Sequence, residues 1–141
     1  MSGANEEFAP PKSSKLMKIA VIIVRTLVGL LFLFASATYF LNVAPPPEFS
    51  GNAKTFMDGI QASGYVLPVA KVFEFLCGLA FVSGRFVALA VVLIFPIVLN
   101  ILLINIILIP SGAPIAIALF AGILFLAYAN RDKYQPLFAA R

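Results

Sequence analysis

KVFEFLCGLAFVSGRFVALAVVLIFPIVLNILLINIILIP, residues 71–110, decides the fold of this chain. It holds two apolar runs separated only by Ser83-Gly84-Arg85, a connection so short that the helices it joins must pack as antiparallel neighbours. At its start Lys71-Val-Phe-Glu74 sets two opposite charges inside the apolar run from Val66 to Val82. Charges within a bilayer-length segment are costly and seldom persist without a partner or a role. The stretch therefore reads as part of a membrane bundle with a polar interior.

Composition supports the same reading. The chain is 62% hydrophobic and 11% charged, whereas a soluble domain carries about 25% charged residues. Its 141 residues make one domain, with the lipid bilayer as solvent. Four segments, 18–41, 65–82, 85–109 and 113–130, reach the roughly 17 to 25 residues that cross about 30 Å of hydrocarbon. They are expected to be helices, because an open sheet would leave backbone groups unpaired in lipid and the runs lack the alternation of barrel strands. The predicted fold is all-α, an integral membrane up-and-down four-helix bundle.

Ala35-Ser36-Ala37 fits a signal-peptide cleavage pattern, but the apolar run from Ile19 exceeds the usual core of about 7 to 15 residues and Arg25 interrupts it. The first span is expected to stay uncleaved. An even number of spans puts both termini on one side. Lys12, Lys15, Lys18, Arg85, Arg131, Lys133 and Arg141 share that side, against Lys54 alone in the opposite loops. The positive-inside bias then predicts a multi-pass protein of the cytoplasmic (inner) membrane with N and C termini in the cytoplasm. The same distribution accounts for the net charge of +4, and without a basic run interleaved with aromatics a nucleic-acid partner is not expected.

Residues 1–17 read as a flexible tail too polar to bury a core, and residues 131–141 as a second cytoplasmic tail. In the outer loop, residues 42–64, Ala44-Pro-Pro-Pro-Glu48 should be extended. Asn52 to Gln61 places Phe56, Met57 and Ile60 on one side at helical spacing, which predicts an interfacial helix that either packs as a loop or covers a partner site.

Two polar stripes are expected to face each other inside the bundle. On the second span Lys71, Glu74, Gly78 and Arg85 project within about 60° at 100° per residue. On the first, Arg25, Gly29, Ser36 and Tyr39 occupy a comparable sector, combining small residues with hydrogen-bonding groups. With Ile19 and Ser83 taken as membrane edges, 1.5 Å per residue puts Arg25 about 9 Å deep, Glu74 about 13 Å, Lys71 about 18 Å and Asn100 about 22 Å. A ladder Arg25, Glu74, Lys71, Asn100 follows, with Glu74 paired to Arg25. Such a ladder either fixes helix register, or lines a cavity for an amphipathic ligand around Lys71, Glu74 and Asn100, or carries protons. Arg25, Ser36, Tyr39, Arg85 and Asn105 are the remaining members of the polar core. Pro96 removes a backbone donor and is expected to kink the third span beside Asn100.

The sequence has no His and one Cys, Cys77, so a CxxC dithiol, a Cys/His metal site and His-ligated haem lie outside its chemistry. No metal site, catalytic residue or intrinsic cofactor is expected. No phosphate-cradling glycine loop or nucleophile elbow occurs.

The first span VRTLVGLLFLFASATYF, the block FEFLCGLAFVSGRFVALA around Glu74 and Arg85, the run PIVLNILLINIIL and the closing AYANRDKYQPLF together resemble the DoxX family of small four-span prokaryotic membrane proteins. The resemblance spans Val24 to Phe138 and rests on the order and spacing of these blocks. It implies a four-helix bundle of the cytoplasmic membrane in which Glu74, Arg85, Asn100 and Arg131 are the family-like polar residues. Many relatives carry a histidine where this chain has Asn105. The resemblance further implies a non-catalytic subunit or anchor beside redox-complex subunits of a quinone-linked oxidoreductase system. The polar core read alone implies a stand-alone binding or chaperone-like protein that holds a lipid-like or quinone-like ligand.

Overall fold

Long runs of Leu, Ile, Val, Ala and Phe with few glycines and prolines favour helix wherever the backbone must satisfy its own hydrogen bonds. The computed structural model describes residues 12–43, 45 and 48–139. The leading residues 1–11, most of the proline run at 44–47, and residues 140–141 lie outside this range. The four apolar runs form helices α1 (Lys12–Leu41), α3 (Val66–Ser83), α4 (Val87–Ile107) and α5 (Ala113–Ala129), with the shorter α2 (Gly51–Ser63) between α1 and α3. A four-residue helix α6 (Arg131–Tyr134) follows α5. Single 3-10 turns occupy Pro110–Gly112 and Gln135–Phe138.

Four of the helices are long and apolar enough to cross a membrane. Helix α1 begins at Lys12, so residues 12–17, expected in the tail, already form its first turns. Hydropathy marks where an apolar solvent would start, whereas a helix of good formers continues beyond that boundary.

Each long helix runs antiparallel to the next, and α1 packs on α3 and α5 while α4 closes the ring between them. The α1/α3 crossing is the closest. A Cβ built on Gly78 would lie 3.1 Å from the Gly29 carbonyl oxygen, and one on Gly29 would lie 3.0 Å from that of Gly78. The two glycines let the backbones touch, as small residues do between membrane helices. Around this crossing, Phe32, Phe81, Ile94, Val98, Ile123 and Leu126 fill the core, and Phe32 stacks on Phe81 with ring centroids 6.2 Å apart.

Only 22 to 28% of the residues in each span's most apolar window are buried inside the chain. Leu27, Phe34, Leu76, Leu89, Leu103 and Ile117 point outward. Water would penalise that area at about 25 cal/mol per Å², and an apolar solvent would not.

The α3–α4 turn depends on Gly84, which adopts φ +79 and donates its N–H to the Ala80 carbonyl at 2.9 Å. This left-handed cap strains any residue with a Cβ. Here a Cβ would also collide with the Arg25 guanidinium. Helix α4 runs through Pro96 as one helix from Val87 to Ile107.

Candidate functional site

The charges inside α3 are paired with each other. Lys71 and Glu74 lie three residues apart on one helix face, and Lys71 Nζ donates to Glu74 Oε2 at 3.1 Å. The Glu74 side chain is 5% exposed and that of Lys71 19%, so the carboxylate is sealed while the ammonium reaches an opening. Among the described residues, Glu74 and Ser36 are the buried polar side chains.

That opening is a cleft of about 840 Å³ at the α2 end of the bundle. Its floor is Lys71 and Leu67 of α3, one wall is Thr38 and Tyr39 of α1 with Asn42 just beyond its end, and its cover includes Met57 and Gln61 of α2. Phe49 adds apolar surface, and Glu48, Lys54 and Asp58 ring the rim. An ammonium carries three donors. The contact with Glu74 uses one, leaving two for a ligand oxygen. Helix α2 earns its place by amphipathicity: Ala53 is buried and Met57 and Ile60 are half-buried. On its solvent face Lys54 pairs with Asp58 at 2.7 Å.

The expected ladder is not formed. Arg25 and Glu74 make no ion pair. Instead the Arg25 guanidinium packs over Gly84 and its Nε is buried without a partner. The cause is helix register. Counting depth from the sequence sets Ile19 level with Ser83, but Arg25 is the residue at the Gly84 level, an offset of about six residues or 9 Å. Ten residues separate Gly84 from Glu74, about 15 Å of rise, beyond the reach of an arginine. The same register brings Thr38 and Tyr39, rather than Arg25, to Lys71.

Asn100 is exposed, and its Nδ2 donates to the Pro96 carbonyl of its own helix at 3.0 Å. The Cys77 thiol approaches the Ala90 carbonyl at 3.6 Å. In antiparallel helices this contact sets Lys71 near the level of Pro96 and Asn100 one turn beyond. The structure thus joins Lys71 and Glu74 and leaves Asn100 outside their environment.

The other polar residues make local bonds. Ser36, fully buried, donates to the Phe32 carbonyl at 2.8 Å. Asn105 Nδ2 donates to the Ile101 carbonyl at 2.7 Å, while its amide oxygen abuts Gly112 in the α4–α5 turn. Arg85 is exposed at the end of the bundle that also carries Lys15, Lys18, Arg131 and Lys133.

Two features escaped the sequence reading. The first is the cleft wall contributed by Thr38, Asn42 and Gln61, residues too ordinary to stand out without knowledge of helix register. The second is Tyr134, whose hydroxyl donates to the Ala88 carbonyl at 2.8 Å across 46 residues. This bond docks the chain after α5 onto the first turn of α4, and burial pushes the phenol above its ordinary value. Among the described residues, no three His, Cys, Asp or Glu side chains converge as metal ligands.

No protein-family model, curated protein or solved structure matches this chain.

Proposed function

We propose that this chain is a multi-pass membrane protein with both termini in the cytoplasm, and that it holds an amphipathic, quinone-like or lipid-like ligand in the cleft above Lys71. The observation that carries this reading is the Lys71–Glu74 pair at the cleft floor. Glu74, sealed in the bundle, fixes the ammonium, and the free donors of Lys71 meet a carbonyl, hydroxyl or anionic oxygen of the ligand. Tyr39 and Asn42 offer further hydrogen-bonding groups, while Met57, Leu67 and Phe49 receive an apolar ring or tail. Such a mixture of apolar wall and a few convergent polar groups is what orients a small ligand.

The role is binding rather than turnover. Electron transfer needs a cofactor or dithiol, and a sequence with one cysteine and no histidine offers few ligands for either. A second reading, a DoxX-like subunit or anchor of a quinone-linked oxidoreductase in the cytoplasmic membrane, is favoured by the four sequence blocks from Val24 to Phe138. The two readings are compatible, since a redox subunit can hold the quinone its partner reduces.

Native mass spectrometry of gently extracted protein, supplemented with a short-chain benzoquinone or a phospholipid, tests both readings together. The expected result is a one-to-one adduct that falls at least about tenfold in Lys71→Met, the loss of one charge-assisted hydrogen bond being worth about 1.5–3 kcal/mol. An adduct unchanged in Lys71→Met would refute the cleft as the site. A redox subunit extracted with the chain would establish the second reading.

A further inference from the structure

At the end of the bundle opposite the cleft, a groove of about 500 Å³ runs between the start of α1 and the end of α5. Its rim is basic, formed by Lys18 and Arg131, and its wall is Met17, Val21 and Ile22 with the Tyr128 ring. No acidic side chain lines it. We infer that this groove binds one phospholipid whose headgroup carries a net negative charge, the phosphate at Lys18 and Arg131 and the upper acyl chain along Val21 and Ile22. The inference rests on the membrane reading proposed above.

Arg131 is already held for this purpose. Its Nη1 donates to the Tyr128 carbonyl at 3.0 Å, and its guanidinium lies 4.4 Å from the centre of the Tyr128 ring. A guanidinium has five N–H donors, so one local bond and a stacking face leave a hydrogen-bonding edge for phosphate oxygens. Fixing the side chain in advance removes part of the entropy lost on binding. Lys18 supplies a second, flexible cation from the neighbouring helix. A tyrosine stacked beneath an arginine is also suited to the headgroup level of a bilayer, where amphipathic rings sit.

The apolar wall decides between a lipid and a free anion. Inorganic phosphate would use the rim alone, leaving Ile22 and Tyr128, 51% and 59% exposed, uncovered. An acyl chain extending from the same phosphate covers both. Arg85 and Lys15 reinforce the positive field at this end but lie outside the groove. The site thus differs from a uniformly basic membrane surface, which would attract anionic lipid without holding one molecule in register.

The test is native mass spectrometry of the full chain released from nanodiscs containing equal phosphatidylglycerol and phosphatidylcholine. The wild type should retain phosphatidylglycerol preferentially, and Lys18→Gln with Arg131→Gln should lower that preference about thirtyfold, from two cations each acting with the strength of a juxtamembrane contact. Lys18→Arg with Arg131→Lys should keep most of it, which separates lost charge from lost folding. Arg85→Gln should leave it unchanged. Equal retention of the two lipids by the wild type overturns the inference, as does an Arg85→Gln effect as large as that of the double variant. Displacement of phosphatidylglycerol by millimolar inorganic phosphate overturns the lipid in favour of a free anion. Failure of the membrane reading is recognised separately, by release of the chain into the supernatant when membranes are washed with carbonate.

Discussion

Replacing Gly29 with alanine should destabilise the protein, whereas the same change at Gly59 should stabilise it. At Gly29 a new Cβ would lie 2.7 Å from Val82 Cγ2 and 3.0 Å from both the Gly78 carbonyl oxygen and Phe81 Cβ. Carbon atoms prefer about 3.5 to 4.0 Å. The backbone oxygen cannot rotate away, and Phe81 is fully buried against Phe32. Helices α1 and α3 must then separate by several tenths of an ångström along their closest crossing. Overpacking of this kind costs about 1–3 kcal/mol, against a helix-propensity gain of about 0.5–1 kcal/mol. Taking the middle of each range, the clash wins by about 1 kcal/mol. At Gly59 on α2 nothing lies within 4 Å of the new methyl, so only the gain of about 0.5–1 kcal/mol remains. Unfolding of both variants in detergent micelles, followed by far-ultraviolet circular dichroism, reads the two signs against one wild type. A Gly29→Ala protein as stable as wild type would show that α1 and α3 do not approach as closely as described.

Three further outcomes are expected. In double-mutant cycles, Lys71→Met with Glu74→Gln should couple by about 1–3 kcal/mol, while Arg25→Met with Glu74→Gln should be additive within about 0.5 kcal/mol; coupling in the Arg25 cycle alone would restore the ion pair that helix register rules out. Tyr134→Phe should cost about 1 kcal/mol at neutral pH, the net worth of its hydrogen bond to Ala88. Because burial raises the phenol's value in the folded state, this stability is complete below about pH 10, where the unfolded phenol titrates, and is lost as pH rises through the higher folded value; a gap between wild type and Tyr134→Phe that stays constant to pH 12 would contradict the docking of α6. In a Cys77→Ala background, cysteines at Lys15 and Gln135 should resist an impermeant thiol reagent in intact cells and one at Asn52 should react; the reverse pattern would invert the proposed orientation.

Much of the helical architecture was legible because hydropathy and helix length are properties of single segments. The runs around Gly29, Gly78, Ile94 and Ile123 are each apolar over bilayer length, and no contact with another helix is needed to read that. The Lys71–Glu74 pair was also within reach, since a spacing of three on a helix makes neighbours. What depended on two helices at once was not. Counting depth from one shared membrane plane puts Arg25 opposite Glu74, yet α1 is 30 residues long and α3 is 18. The surplus at the start of α1 slides every α1 residue relative to α3. Asn100 illustrates a different limit. A polar residue in an apolar run suggests an inward face, but an asparagine can satisfy its amide at the carbonyl four residues back, as this one does with Pro96, and can then face outward.

The displacement of Arg25 also bears on what the bundle can do. With Arg25 at the Gly84 level, the polar groups divide between two ends, Lys71 and Glu74 below the cleft and Arg25 near the basic rim. Between them the interior is occupied by Val28, Phe32, Cys77 and Phe81, all buried, and by the Gly29–Gly78 crossing, where the backbones leave no room for a chain of water. Ser36 is buried too, but its hydroxyl is directed to the Phe32 and Leu33 carbonyls of its own helix. A proton or ion path would need successive polar side chains or waters across this stretch of about 15 Å. The packing supplies an apolar plug instead. The charged pair on α3 thus faces a cleft closed at its base, so the ligand proposed for it would enter and leave from one side of the bundle.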